Sequence, residues 1–133
     1  INTEYVDWLP TGILIVDAEL NEQIKFDLFF SDYGYLEDLD FSYNLKDHGL
    51  VICAKAKYSS NNLIKRNPYF FGIKEIVNRF YFVNKFNLNK FNFIIGCFFL
   101  ITKHLITSLM IKPTYLLRII GNFIGLIKII FSY

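Results

Sequence analysis

Apolar and polar positions follow three different schedules along this chain. Residues 1–57 read as mixed α/β. Residues 12–17 (GILIVD) form a continuous apolar run of strand length, too short for a helix and rich in β-branched side chains, which predicts a buried strand. Residues 18–24 suit a short helical turn, and 26–30 lead into a loop that ends at Gly34. Over 36–48 the spacing of Leu36, Leu39 and Tyr43 predicts a helix, with Gly49 just past its end. Residues 50–54 read as the next strand.

The polar stretch 58–62 predicts a loop, and Pro68 then opens a helix to about Val83, with Phe70, Ile73, Val77 and Phe80 at helical spacing. Two apolar segments follow, divided by Lys112 and Pro113. Residues 91–111 number 21, enough to cross a bilayer. Lys103 and His104 sit inside that run, and a mid-span lysine costs roughly 2.5–3.5 kcal/mol. In 115–131 a narrow polar strip carries Arg118, Asn122 and Gly125, with Arg118 and Lys128 near the ends, positioned to snorkel toward headgroups. Both segments read as helices lying in an interface or packed on a domain. Gly121 and Gly125 are spaced for close helix packing in lipid. No internal repeat is visible. The division expected is 1–90 and 91–133, the latter a membrane-associating helical tail.

Composition narrows the class. The chain has 133 residues, 53% hydrophobic and 19% aromatic, with 7 Gly and 3 Pro, which excludes disordered and collagen-like sequence. Cys53 and Cys97 lie far apart with no C-x-x-C spacing, against a disulfide framework or structural zinc. The chain opens on Ile1 with no basic then apolar leader, so no secretory signal is visible and its start is expected upstream.

Charge changes the picture more. Residues 1–50 hold eleven acids and two lysines, −9; residues 51–133 hold one acid, Glu75, and twelve Lys/Arg, +11. A basic half suggests an anionic partner. Because this basic half is also the more apolar one, the expected partner is a membrane surface and not nucleic acid. Lys55, Lys57, Lys65, Arg66, Lys74, Arg79, Lys85 and Lys90 would each add up to about 1 kcal/mol near anionic lipid.

Candidate chemistry concentrates in residues 35–49 (YLEDLDFSYNLKDHG). At about 100° per residue Glu37 and Asp40 fall roughly 60° apart, while Asp38 and Asp40 fall about 160° apart, so the three acids cannot face one ligand. At a helix N-terminus the macrodipole favours their ionised forms. An ionised carboxylate there can act as general base on a hydroxyl held within hydrogen-bond reach. Two other roles stay open on these residues: acids that merely cap a helix in solvent, and a divalent-cation site built on Asp32, Glu37, Asp38 and Asp40. His48, near a helix C-terminus, suits a cation, and His104 is expected on the polar face of its helix. No phosphate-binding glycine loop and no nucleophile–base arrangement is present.

The ordered set 6–16 (VDWLPTGILIV), Phe26-Asp27, 33–43 (YGYLEDLDFSY) and Gly49 resembles the acceptor-side half of a family 2 glycosyltransferase with the GT-A fold. The likeness covers roughly residues 5–57, with a looser echo in 78–85 (NRFYFVNK) and a similarity of 116–125 to that family's amphipathic tail. The resemblance implies an α/β fold: a partial GT-A-like mixed sheet with flanking helices, followed by C-terminal amphipathic and hydrophobic helices. It implies Asp38 as the base that deprotonates an acceptor hydroxyl, Glu37 holding an acceptor hydroxyl or orienting the loop, and Trp8 as a flat face for the acceptor sugar. Asp7 would accept from a sugar hydroxyl, and Gly12 would let backbone approach closely; Asp40 reads as structural. The donor implied is a nucleotide sugar, and the acceptor a glycan or lipid-linked saccharide at the cytoplasmic face of the membrane.

The family's nucleotide-binding half is not among these residues, and no D-x-D motif precedes Trp8. The divalent cation (Mg or Mn) expected of the full-length enzyme would therefore have its main ligands outside this chain, which alone is not expected to catalyse transfer. Where relatives place a further histidine, residues 57–61 read KYSSN, so no metal ligand is assigned there. The alternative reading is a small non-enzymatic membrane-anchored interaction protein with an acidic head.

Overall fold

A computed structural model describes residues 3–10, 15–32, 34–49, 51–53 and 66–132. The chain divides into two compact units, residues 1–63 and 64–133.

The first unit opens with β1 (Thr3–Tyr5), which pairs antiparallel with β2 (Val51–Cys53), Glu4 opposite Ile52. Between them lie α1 (Ala18–Gln23), a 3-10 turn at Leu28–Phe30, α2 (Glu37–Leu45) and a second 3-10 turn at Lys46–His48. The core is small. Phe41 and Leu45 of α2 are packed by Val6, Leu9, Val16 and Ile24, and Phe26 stacks on Phe41 with ring centroids 4.1 Å apart.

The partial GT-A-like mixed sheet is corrected by this arrangement. The protein is mostly helical, and extended pairing among the described residues is one ribbon of two three-residue strands. Of the expected strand at 12–17, residues 11–14, Gly12 included, lie outside the described residues; Ile15 and Val16 are irregular. Where the run ends, Asp17 starts a helix. Its carboxylate accepts from the N–H groups of Glu19 (2.9 Å) and Leu20 (3.4 Å), which caps α1 and turns the chain out of the extended state. The strand expected at 50–54 does form at Val51–Cys53, but among the described residues it pairs only with β1. Two short strands do not make a sheet that can support a doubly covered α/β core.

The second unit is three helices. α3 (Pro68–Lys85) starts where Pro68 predicts it, with Asn67 capping Tyr69 and Phe70 through its side-chain oxygen. Asn89 caps α4 (Lys90–Met110) in the same way, and α5 (Tyr115–Ser132) follows a turn at Lys112 and Pro113. α3 and α5 approach until backbones touch. A Cβ on Gly72 would collide with the Arg118 carbonyl oxygen, and one on Gly121 with that of Tyr69, so both positions need glycine. Ile76, Cys97 and Ile129 form the apolar centre, flanked by Val77, Phe80, Phe93, Leu100 and Leu126.

Candidate functional site

In the first unit the acids expected to carry chemistry open α2. Gly34 (φ 59°) and Leu36 (φ 71°) both lie in the left-handed region, so the turn before Glu37 is sharp. Glycine adopts that backbone freely; a leucine there costs about 1–3 kcal/mol, strain that packing around α2 must hold. The Glu37 carboxylate folds back over Gly34, where an added Cβ would lie 3.0 Å from Oε1. Asp38 is half-buried and its Oδ1 accepts from the Leu39 N–H at 2.9 Å. Asp40 turns inward and is buried, with Asn44 Nδ2 donating to its carbonyl oxygen at 3.0 Å.

Ser42 connects this helix to the segment holding Trp8. Its buried hydroxyl accepts from the Leu9 N–H (3.0 Å) and lies 3.2 Å from the Leu9 carbonyl oxygen, to which it donates. Asp38 precedes Ser42 by four residues and so shares its helix face one turn nearer the N-terminus. Asp7 and Trp8 are thus fastened, through Leu9, to the face of α2 that bears Asp38. Both are exposed, Trp8 by 49%. Of the five residues expected at an acceptor site, Gly12 alone lies outside the described residues. Asp32, Glu37, Asp38 and Asp40 do not converge: among the described residues no three His, Cys, Asp or Glu side chains gather as metal ligands. The carboxylates present therefore do not fit a resident divalent cation.

The second unit holds a polar centre that sequence reasoning missed. Glu75 on α3 is 2% exposed, and both its oxygens are engaged by Arg118 of α5, Nε to Oε2 at 2.8 Å and Nη2 to Oε1 at 2.6 Å. Asn122, one turn on, is fully buried. Its Nδ2 donates to the Gly72 carbonyl (2.9 Å) and to Glu75 Oε2 (3.3 Å), and its Oδ1 accepts from His104 Nδ1 at 3.1 Å. His104 is buried beneath Tyr115 instead of lying on a polar face, 3.9 Å from Glu75 Oε2. Burial holds its pKa below the ordinary value, against the Asn122 hydrogen bond and Glu75, which raise it; Arg118 and Lys103 lower it further. The signal available was the strip of Arg118, Asn122 and Gly125 together with Glu75, the lone acid of a basic half.

Outside, the same helices are apolar. Phe91, Ile94, Phe98, Phe99, Leu105, Ile106 and Leu109 of α4 and Leu116, Ile120, Phe123, Ile127 and Ile130 of α5 are all exposed. α4 is long and apolar enough to cross a membrane and is little buried within its own unit. The second unit thus keeps its polar groups inside and apolar side chains outside. No family model, curated protein or solved structure matches this chain.

Proposed function

We propose that this chain is the acceptor-side portion of a membrane-associated glycosyltransferase that takes a sugar from a nucleotide-sugar donor and gives it to a glycan or lipid-linked saccharide at the cytoplasmic face. Asp38 is the general base. It takes the proton of an acceptor hydroxyl as that oxygen attacks the anomeric carbon and the bond to the diphosphate breaks. Trp8 offers the acceptor ring an apolar face, and Glu37 and Asp7 accept from its hydroxyls, with Gly12 in the adjoining segment. The donor's diphosphate and any Mg or Mn that neutralises it are held by residues outside this chain.

The observation that carries this reading is the Ser42 link, because it ties the Trp8 segment to the helix face of Asp38 and leaves both accessible. The strained turn at Leu36 supports it, since such backbone is held where a side chain must be aimed. The apolar exterior of α4 and α5 supports attachment to a membrane. It would equally serve a non-enzymatic anchored protein whose acidic head binds a basic partner, and one variant separates the two. In the full-length protein Asp38→Asn should lower turnover at least about 10²-fold with donor binding little changed. Near wild-type turnover in that variant would remove Asp38 as base.

A further inference from the structure

The second unit is apolar on one side only. Among its described residues the large hydrophobic side chains left exposed belong to α4, α5 and the turn between them, save Phe70 of α3. At about 100° per residue, Ile94, Ile95, Phe98, Leu105, Ile106 and Leu109 of α4 fall within an arc of about 120°. Cys97 and His104, the buried residues of α4, turn away from it toward Ile76, Asn122 and Ile129 of the other two helices. On α5 the exposed Phe123, Ile127 and Ile130 share one arc, away from the Gly121 and Asn122 edge that meets α3.

We infer that α4 and α5 lie along a bilayer surface with their long axes in its plane, their apolar arcs sunk into one leaflet of anionic lipid and α3 on the water side. This rests on the membrane attachment proposed above and adds how the protein meets the membrane.

Charge selects the lipid class. Lys90, Lys103, Lys112 and Lys128 are all exposed. Lys103 lies about 60° beyond the edge of the α4 arc, and Lys128 about 100° round α5 from Ile127. Glu75, the only acid after residue 50, is closed by Arg118, so no acid of this unit answers the four lysines. Lysines on the flank of an apolar arc reach headgroup phosphates while the arc enters the acyl boundary. A second copy of this chain is the poorer occupant, since its arcs bring the same lysines and no acid to meet them.

Two features favour the plane over a crossing. Lys103 is three residues from Leu100, the midpoint of α4, so only about 4.5 Å of rise would separate it from the bilayer centre, where a lysine is costly. Nor can α3 be left behind. Gly72 and Gly121 bring its backbone against α5, and a crossing bundle would carry Lys74 and Arg79 of α3 inward as well.

The test uses the full chain with Trp8→Phe and one new tryptophan at a time: Phe91→Trp, Phe98→Trp or Leu109→Trp. These three exposed positions stand on one line along α4, at its start, middle and end. Each variant is bound to phosphatidylcholine–phosphatidylserine vesicles, and its fluorescence is quenched by lipids brominated near the headgroup or near the chain end. Equal quenching at all three, stronger from the headgroup side, is expected. Co-sedimentation should be tighter with phosphatidylserine than without it, and Lys103→Gln should weaken it about five-fold. Lys25→Gln, an exposed lysine of the first unit, should leave it unchanged. Quenching of Phe98→Trp from the chain end, with the other two quenched from the headgroup, would mean a crossing helix and overturn the proposal. Bound protein whose three tryptophans are all shielded, with cross-links between copies, would assign the arcs to a second copy and overturn it too. Equal losses in Lys103→Gln and Lys25→Gln would overturn the anionic contact. Failure to sediment with either vesicle would instead remove the membrane attachment itself, leaving Asp38→Asn to be judged on turnover alone.

Discussion

Asp38 and Glu75 are both carboxylates on helices, and the protein treats them in opposite ways. Asp38 remains half-buried, its Oδ1 bonded only one residue away, behind a backbone turn that costs energy to hold. Glu75 is taken out of water and both its oxygens are closed by a guanidinium and an amide from α5. A buried carboxylate with its partners in place is a joint; one kept near solvent can still meet a ligand. The difference separates a residue that holds the fold from one available for chemistry.

The sharpest way to break this comparison is to remove one acid from each unit. Glu75→Ala strands the Arg118 guanidinium, whose side chain is only 21% exposed, and takes from Asn122 the longer of its two Nδ2 hydrogen bonds. A loss of about 3–5 kcal/mol in the stability of the helical unit is expected, read by thermal or denaturant unfolding in mild detergent. Asp38→Asn keeps the oxygen that meets Leu39 N–H and loses only charge at a helix start, so it should cost under about 1 kcal/mol. Comparable losses at both positions would mean that Asp38 too is structural.

Next comes the helix contact that brings Glu75 and Arg118 together. Gly121→Ala drives a methyl into the Tyr69 carbonyl and to within 3.1 Å of Gly72 Cα, and should destabilise by about 1–3 kcal/mol. Gly96 on α4 gives the opposite sign. A Cβ there meets nothing within 4 Å, so Gly96→Ala should stabilise by about 0.5–1 kcal/mol through helix propensity. Losses of equal size at both glycines would mean that α3 and α5 do not approach as closely as described.

What the sequence disclosed divides along the same line. Pro68 and the apolar periodicity specify α3 and α4 locally, because a helix start and a helical repeat are written within a few residues. The acids of α2 and their helix were legible for that reason. The mixed sheet was not, since an apolar run states only that a segment wants burial. Whether it finds neighbouring strands is decided by distant parts of the chain; here Ile15 and Val16 are irregular and Asp17 opens α1 just beyond them. The expected apolar stripe of α3 holds at three of its four positions. Phe70 is exposed, whereas Ile73 is buried and Val77 and Phe80 pack on the apolar centre; the buried face also holds Phe71, Gly72, Glu75 and Asn78, because α5 answers it with Arg118, Gly121 and Asn122. Arg118 read alone suggests a side chain reaching for headgroups; its pairing with Glu75 spans 43 positions, beyond any local pattern.

The smallest effect concerns the imidazole that completes the Glu75 joint. His104 is buried at 3% exposure, with its Nδ1–H given to Asn122, and burial keeps it neutral despite Glu75 nearby. A histidine whose folded pKa is depressed favours the folded state only while neutral. Its contribution is therefore fully present above its ordinary value of 6.5 and is lost as pH falls below it, at no more than about 1.4 kcal/mol per pH unit. Acidification should destabilise the helical unit by about 1 kcal/mol more in the wild type than in His104→Gln, since carboxylates elsewhere titrate alike in both. Parallel stability curves for the two proteins would mean that burial does not depress His104, and a wild type that gains on acidification would mean that Glu75 draws the proton onto His104. The joint in the second unit would then be a charged triad, and the contrast with Asp38 would rest on access alone.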